Sequence, residues 1–177
     1  VHQVRAADKV TSYGQAKEEL TSILKDAVAK RMIADVPLGT FLSGGYDSSL
    51  VTALAQSLSK EPVKTYSIGF YEENYNEARH AKEVAKYLET NHTELYVDEQ
   101  AMFGMLENIT RYYDEPFADS SQIPSMLVSQ LASEDVTVVL SGDGGDEFFC
   151  GYNVYDYVAK AQKLDALGRV VNGVCAI

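Results

Sequence analysis

One short stretch organises the interpretation of this 177-residue sequence: Leu42-Ser43-Gly44-Gly45-Tyr46-Asp47-Ser48-Ser49. The apolar run Leu38–Leu42 leads into it and predicts a buried strand that ends in a tight turn. Apolar residues on one stripe between Ser48 and Leu58 predict a helix directly after the turn. A helix that starts there presents free backbone N–H groups and a partial positive charge, and both favour an anion.

The residue types of this turn favour a phosphate ligand. Its glycines let the backbone approach an anion closely, and the hydroxyls of Ser43, Ser48 and Ser49 are further donors. Asp47 would repel a bare phosphate, and a divalent cation such as Mg2+ between the two resolves the conflict. The turn matches neither the Walker A pattern nor the Gly-x-Gly-x-x-Gly fingerprint. A plain strand–turn–helix connection with a Ser or Asp cap stays open as an alternative.

A second glycine-rich turn, Ser141-Gly142-Asp143-Gly144-Gly145-Asp146-Glu147, follows the predicted strand Val136–Leu140. It holds three acidic residues and three glycines in seven positions, so negative charge is concentrated where a strand ends. One carboxylate could be a second metal ligand, and another could act as a base. A solvated acidic turn is the alternative. A calcium loop is disfavoured because the apolar residues Phe148 and Phe149 break its twelve-residue spacing.

The rest of the chain alternates helical and strand patterns. This alternation predicts an α/β fold with a doubly wound, mostly parallel sheet and helices on both faces. Ser12 or Thr11 can cap the first helix. In such sheets ligands bind at the carboxyl ends of the strands, where both glycine-rich turns are expected. Further strands are predicted at 63–70 and 92–97, and helices at 12–34, 77–88, 99–113, 121–133 and 153–167.

Charge and cysteine content narrow the function classes. Fifteen basic residues against 26 acidic ones give a net charge of −11, which disfavours a nucleic-acid binder that uses a broad basic surface. A local site can still hold a nucleotide through backbone amides and metal ions. Cys150 and Cys175 form no Cys-x-x-Cys pair, and we expect free thiols in a cytoplasmic protein. No apolar run reaches about 18 residues, so no membrane span is predicted.

The stretch Ser43–Ser48 resembles the PP-loop of the N-type ATP pyrophosphatases. With the second turn and the following Gly151-Tyr152, the chain resembles the synthetase domain of B-type, glutamine-hydrolysing asparagine synthetases over about residues 16–157. Within that family it is most similar to the amidotransferases associated with surface polysaccharide clusters. The resemblance implies a fold like that of the adenine nucleotide alpha hydrolases, with ATP and Mg2+ as cofactors.

The resemblance also implies roles for individual residues. Asp47 and Asp146 match the carboxylates that hold Mg2+ on the triphosphate. Asp143 stands where these synthetases usually carry Glu, at a position proposed to act on ammonia or its intermediate. Asp119 and Ser120 match, less closely, positions near the acyl substrate. The positions that match the pyrophosphate loop are Ser43, Gly44, Gly45, Asp47 and Ser48. Those that match adenosine contacts are Phe41, Ile68, Ser141 and Gly142.

The implied activity is that of an ATP-dependent amide-forming ligase. It would adenylate a substrate carboxylate, aspartate or a sugar-linked acid, release pyrophosphate and transfer ammonia from glutamine. The resemblance also implies a glutaminase domain, which is missing from this chain, and a later lysine that stabilises charge during acyl transfer, which nothing here clearly matches. We therefore expect this fragment alone to be inactive. We interpret residues 1–15 as a leader or cut linker and 158–177 as the truncated start of a C-terminal helical part.

Several alternatives stay open. Another AMP-forming PP-loop enzyme, β-lactam synthetase-like or tRNA-modifying, is one, and a non-catalytic nucleotide-binding fragment is another. A homodimer is also left open. The acidic stretch Tyr71–Glu77 is either a mobile flap over the nucleotide or a solvated loop.

Overall fold

The computed structural model describes residues 10–71, 76–115, 119–158 and 160–161. The chain divides into two compact units, Val1–Ser141 and Gly142–Ile177, and each is described by itself.

A four-stranded parallel sheet forms the centre of the first unit. Its strands are β1 (Leu38–Phe41), β2 (Lys64–Phe70), β3 (Asn91–Val97) and β4 (Val138–Leu140), in the order β3-β2-β1-β4. Thr40 of β1 pairs with Thr65 on one side and with Leu140 on the other. The chain therefore proceeds outward from β1 to β3 and returns to the opposite side of β1 with β4. This reversal of strand order marks where ligands bind in doubly wound sheets, at the strands' carboxyl ends.

The helices of the first unit cover both faces of this sheet. Val28 of the first helix packs with Ala55 and Val63, and the Thr40 side chain bonds to the second helix on the same face. On the opposite face Tyr66 packs with Ala132 and Val136. The helices are α1 (Tyr13–Arg31), α2 (Tyr46–Leu58), α3 (Ala78–Leu88), α4 (Glu99–Leu106), α5 (Ile109–Tyr112) and α6 (Gln122–Ser133). The predicted fold class, a doubly wound parallel sheet between helices, is confirmed.

Two helices have an end that differs from the predicted one by two residues or more. Ser12 is the N-cap of α1, as predicted, because its side chain accepts a hydrogen bond from the Gln15 N–H at 3.1 Å. However, α1 ends at Arg31 rather than at residue 34, and Ile33 beyond it is 83% exposed. The second helix begins at Tyr46, two residues early, because Gly45 takes the extended N-cap conformation.

The predicted helix 99–113 is wrong as a single element, because it is divided into α4 and α5 at Glu107 and Asn108. The Asn108 side chain donates to the Gly104 carbonyl at 3.4 Å, while its backbone N–H bonds three residues back to Met105. An asparagine that bonds to local backbone in this way competes with a continuous helix. Sequence periodicity alone does not reveal such a break.

In the second unit, the short helix α7 (Gly145–Phe149) lies within and beyond the second glycine-rich turn. Residues 153–158 are helical as predicted, as are residues 160 and 161, while the remainder of the predicted helix to 167 lies outside the described residues. Most of the acidic stretch Tyr71–Glu77, namely residues 72–75, also lies outside them. Among the described residues no helix has the length and apolar character needed to cross a membrane.

Candidate functional site

The first glycine-rich loop, residues 42–49, is organised by its own serines. The Ser48 side chain is buried, and its Oγ accepts a hydrogen bond from the Ser43 N–H at 3.2 Å. The two serine Oγ atoms also lie 2.9 Å apart, and the Gly45 N–H donates to the Ser43 Oγ at 3.3 Å. Asp47, partly buried, follows in the first turn of α2. The loop is thus pre-shaped by short hydroxyl and amide contacts.

Helix α3 lies directly against the backbone of this loop. Gly44 has a φ of +85°, and a Cβ placed on it would lie 2.6 Å from the backbone nitrogen of Ala81 and 2.6 Å from the Cβ of His80. A side chain at position 44 is therefore excluded by backbone conformation and by contact with another helix. At Gly45, the second glycine of the pair, an added Cβ would meet only the Ser43 Oγ, at 3.3 Å.

A cavity of about 710 Å³ opens at the carboxyl ends of β1, β2 and β3, beside the start of the loop. Its size is within the usual range for a small-molecule site, roughly 300–1,000 Å³. Most of its wall is apolar, and five serines and two glutamates are among the lining residues. The lining residues are Phe41, Leu42, Ser43, Tyr66, Ser67, Ile68, Phe70, Glu77, Val97, Glu99, Met102, Ser120, Ser121, Pro124, Ser125 and Val128.

Three of the predicted site residues line this cavity. They are Phe41 of β1, Ile68 of β2 and Ser43 of the first loop, and the rest of the first loop follows Ser43 in the chain. Of the positions matched to the acyl substrate, Ser120 lines the cavity. The Asp119 carboxylate instead accepts hydrogen bonds from the Ser121 N–H and Oγ, at 2.8 and 2.7 Å. These bonds hold the pKa of Asp119 below its ordinary value.

The sequence reasoning missed several cavity residues. Glu99 and Met102 come from α4, and Ser125 and Val128 come from α6. Their positions in the chain carry no motif, because they line the cavity only through helix packing. Glu77 also lines it, and the sole signal for that residue was its place in the acidic stretch after β2.

A buried polar network lies under α3, beside the strand that carries Ser67. His92 has its Nδ1 2.8 Å from the Thr65 Oγ1 and its Nε2 3.3 Å from the Ser67 Oγ. The Glu94 Oε1 is buried without a hydrogen bond and lies 3.4 Å from the His92 Nε2. The Oε2 of the same carboxylate pairs with the Lys82 Nζ at 3.2 Å. Burial lowers the pKa of His92, and this effect outweighs the opposite effect of Glu94.

Within the second unit, residues 144–152 of the second loop and the turn after it bond to one another. Gly144 has a φ of +90° and is the N-cap of α7, whose first turn contains Asp146 and Glu147. After the helix, the Gly151 N–H donates to the Asp146 carbonyl at 3.0 Å. The Tyr152 hydroxyl donates to the Glu147 Oε1 at 2.8 Å, which raises the pKa of Tyr152 to about 12.

Comparison with known proteins identifies the family. The family model described as asparagine synthase matches residues 19–172, which is most of the chain. The chain belongs to the asparagine synthase family. It is 42% identical over 153 residues to a protein of Methanocaldococcus jannaschii named as a glutamine-hydrolysing asparagine synthetase, covering 82% of this chain and 30% of that protein. It is 38% identical over 138 residues to asparagine synthetase 1 of Bacillus subtilis, also named as glutamine-hydrolysing, covering 78% and 22%.

The chain therefore spans less than a third of the length of these two relatives of the asparagine synthase family. A solved structure with the same fold is the glutamine-dependent NAD+ synthetase of Acinetobacter baumannii in complex with adenosine diphosphate. The TM-score is 0.51 at 21% identity, over 84% of this chain and 29% of that one. At this identity the likeness shows the fold alone.

Proposed function

We propose that the protein containing this chain is an ATP-dependent amide-forming ligase. It adenylates a substrate carboxylate, releases pyrophosphate and transfers ammonia derived from glutamine. Membership of the asparagine synthase family supports this activity. The observation that carries it for this chain is the cavity at the strand ends, where Phe41, Ser43 and Ile68 lie beside the start of the first glycine-rich loop. A nucleoside in the cavity could extend its phosphates toward that loop.

The first loop is proposed as the pyrophosphate site. Its hydroxyls already bond to one another and to loop amides, so an incoming phosphate exchanges internal bonds for its own without reorganising the backbone. Ser43, Gly44, Gly45 and Ser48 would contact the departing pyrophosphate. The backbones of Phe41 and Ile68 would contact the adenosine, as would Ser141 and Gly142.

The described residues fit Mg2+ better than a metal that needs a complete protein cage. Among these residues no cluster of three or more His, Cys, Asp or Glu side chains could hold an ion alone. Mg2+ is usually bound by one or two carboxylates together with substrate phosphates and water. We propose Asp47 for that role and Asp146 as a second ligand, because both match the carboxylates that hold Mg2+ in the family. When bound, Mg2+ supplies charge neutralisation for the triphosphate.

The chemistry proceeds in two displacements. A carboxylate oxygen of the substrate attacks the α-phosphorus of ATP, the bond from that phosphorus to the bridging oxygen breaks, and pyrophosphate leaves with the electron pair. Ammonia then attacks the acyl carbon, and AMP leaves as the amide forms. Asp143 is proposed to take a proton from the attacking nitrogen, a role that suits a carboxylate near the reacting centre. Aspartate and a sugar-linked acid are both candidate substrates.

Exchange of labelled pyrophosphate into ATP tests the first displacement, since it reports reversible adenylation. In the protein at its natural length, we expect exchange only when a suitable carboxylic acid is added, and a loss of roughly tenfold or more in Asp47→Asn. Asp26→Asn is the matched control, because Asp26 is an exposed residue of α1 paired with Lys30. Its exchange rate should equal that of the unmodified protein.

The second displacement has its own test. Asp143→Asn should keep pyrophosphate exchange and lose amide formation from ammonia, by roughly a hundredfold if the group acts as a base. The ligase proposal would be contradicted if no carboxylic acid in a broad panel supported pyrophosphate exchange and the protein did not bind Mg·ATP. Binding of Mg·ATP without any exchange would favour a nucleotide-binding domain with no adenylation.

A further inference from the structure

The turn that follows α7 folds back over the acidic residues of that helix. Cys150, at a φ of +57°, ends the helix in the left-handed conformation, and its N–H and that of Gly151 both point to the Asp146 carbonyl. Each of the next two residues then contacts a carboxyl-bearing residue five positions earlier. Gly151 lies against Asp146, and the Tyr152 hydroxyl bonds to Glu147.

Gly151 leaves the space that the Asp146 carboxylate occupies. A Cβ built on Gly151 would overlap the Asp146 Oδ1 and would lie 2.8 Å from its Cγ, whereas the nearest backbone atom, the Asp146 Cα, is 3.2 Å away. The severe overlap is thus with the movable end of a side chain. The least costly relief for a larger residue at 151 is rotation of the Asp146 carboxylate, not unfolding of the turn.

We propose that Gly151 is a positioning residue that fixes the orientation of the Asp146 carboxylate. The inference rests on the proposed function, in which Asp146 binds Mg2+ with the nucleotide. A carboxylate whose rotamer is fixed before the ion arrives loses less freedom on binding, so its supporting residues affect metal affinity. Tyr152 anchors the turn, because its bond to Glu147 ties residue 152 to the same helix.

The experiment measures the Mg2+ concentration that gives half-maximal ATP binding, in the protein at its natural length. We expect Gly151→Ala to raise this concentration roughly tenfold while the melting temperature changes little. Gly104→Ala is the matched control, since a Cβ at Gly104 meets no atom within 4 Å, and it should leave Mg2+ dependence unchanged. Tyr152→Phe, at a residue 46% exposed, should weaken Mg2+ binding in the same direction by less, even if Gly151→Ala fails to fold.

A double-mutant cycle with Asp146→Ala separates positioning from a general structural effect. If Gly151 acts through Asp146, Gly151→Ala and Tyr152→Phe should cause no further loss in the Asp146→Ala protein. An equal loss in both backgrounds would overturn the inference, as would Mg2+ dependence unchanged by Gly151→Ala when Asp146→Ala weakens it. If Asp146→Ala itself has no effect, the metal role of Asp146 fails, and the inference fails with it.

Discussion

Gly44 and Ala81 are in direct backbone contact, although 37 positions separate them in the chain: a Cβ on Gly44 would lie 2.6 Å from the Ala81 nitrogen. Gly44→Ala must also adopt a φ of +85°. We expect the free energy of unfolding to fall by about 2–4 kcal/mol, from backbone strain and overlap together. Denaturant unfolding measures this loss, and nucleotide binding should weaken with it.

The control for Gly44 is again Gly104→Ala, which lies inside α4 with open space around the new methyl group. It should be neutral or stabilising by up to about 1 kcal/mol, because alanine favours a helix. Equal stability of Gly44→Ala and the unmodified protein would show that α3 does not hold the loop.

Ser48 organises the first loop through its Oγ, which accepts from the Ser43 N–H. Ser48→Ala removes the acceptor of the Ser43 N–H. We expect a loss of about 1–2 kcal/mol in stability and weaker ATP binding. Ser57→Ala is the matched control on the same helix, because Ser57 is exposed and its hydroxyl donates to the Leu54 carbonyl of α2. Its effect should stay within about 0.5 kcal/mol. Unaltered ATP affinity in Ser48→Ala would contradict a pre-shaped loop.

Thr40 and Thr52 join β1 to α2 through a hydroxyl pair at 2.9 Å, and both residues are fully buried. Thr52→Val leaves the Thr40 hydroxyl unpaired, at an expected cost of about 1–3 kcal/mol. The double variant with both residues changed to valine should lose less than the sum of the two single losses, since no hydroxyl then remains unpaired. Chemical denaturation of the four proteins measures the coupling, and strict additivity would be the contrary result.

His92 makes stability depend on pH. Burial lowers its pKa in the folded protein, and the positive charge of Lys82 on α3 lowers it further, while Glu94 on its own strand acts in the opposite direction. The unfolded chain therefore takes up a proton first, as pH falls below the ordinary value of about 6.5. The stability due to neutral His92 is complete above that pH and is lost as pH falls through the lower folded pKa.

The test for His92 compares free energies of unfolding at about pH 7.5 and about pH 5. In His92→Gln the decrease in unfolding free energy toward acid should be smaller than in the unmodified protein. His80→Gln is the control, since His80 is an exposed histidine on α3. An identical acid decrease in His92→Gln and the unmodified protein would contradict the role of burial.

Local chemistry explains what could be predicted. The strand–turn–helix around Gly44, the Ser12 cap and the alternation of strands with helices follow from residue types within a few positions of each other. Phe41, Ser43 and Ile68 were also predicted as site residues, and they line one cavity. Their contact with a nucleotide stays a prediction, as do the roles of Asp47, Asp143 and Asp146.

The sequence by itself therefore determined the order of elements, the parallel sheet and the two glycine-rich turns, because periodicity and turn chemistry are local properties. Only the tertiary structure decided the contact of Gly44 with α3 and the closeness of His92 to Ser67. It also decided which residues of α4 and α6 line the cavity. These features depend on how separate elements pack against the sheet, and packing distances between remote residues leave no periodic trace in the sequence.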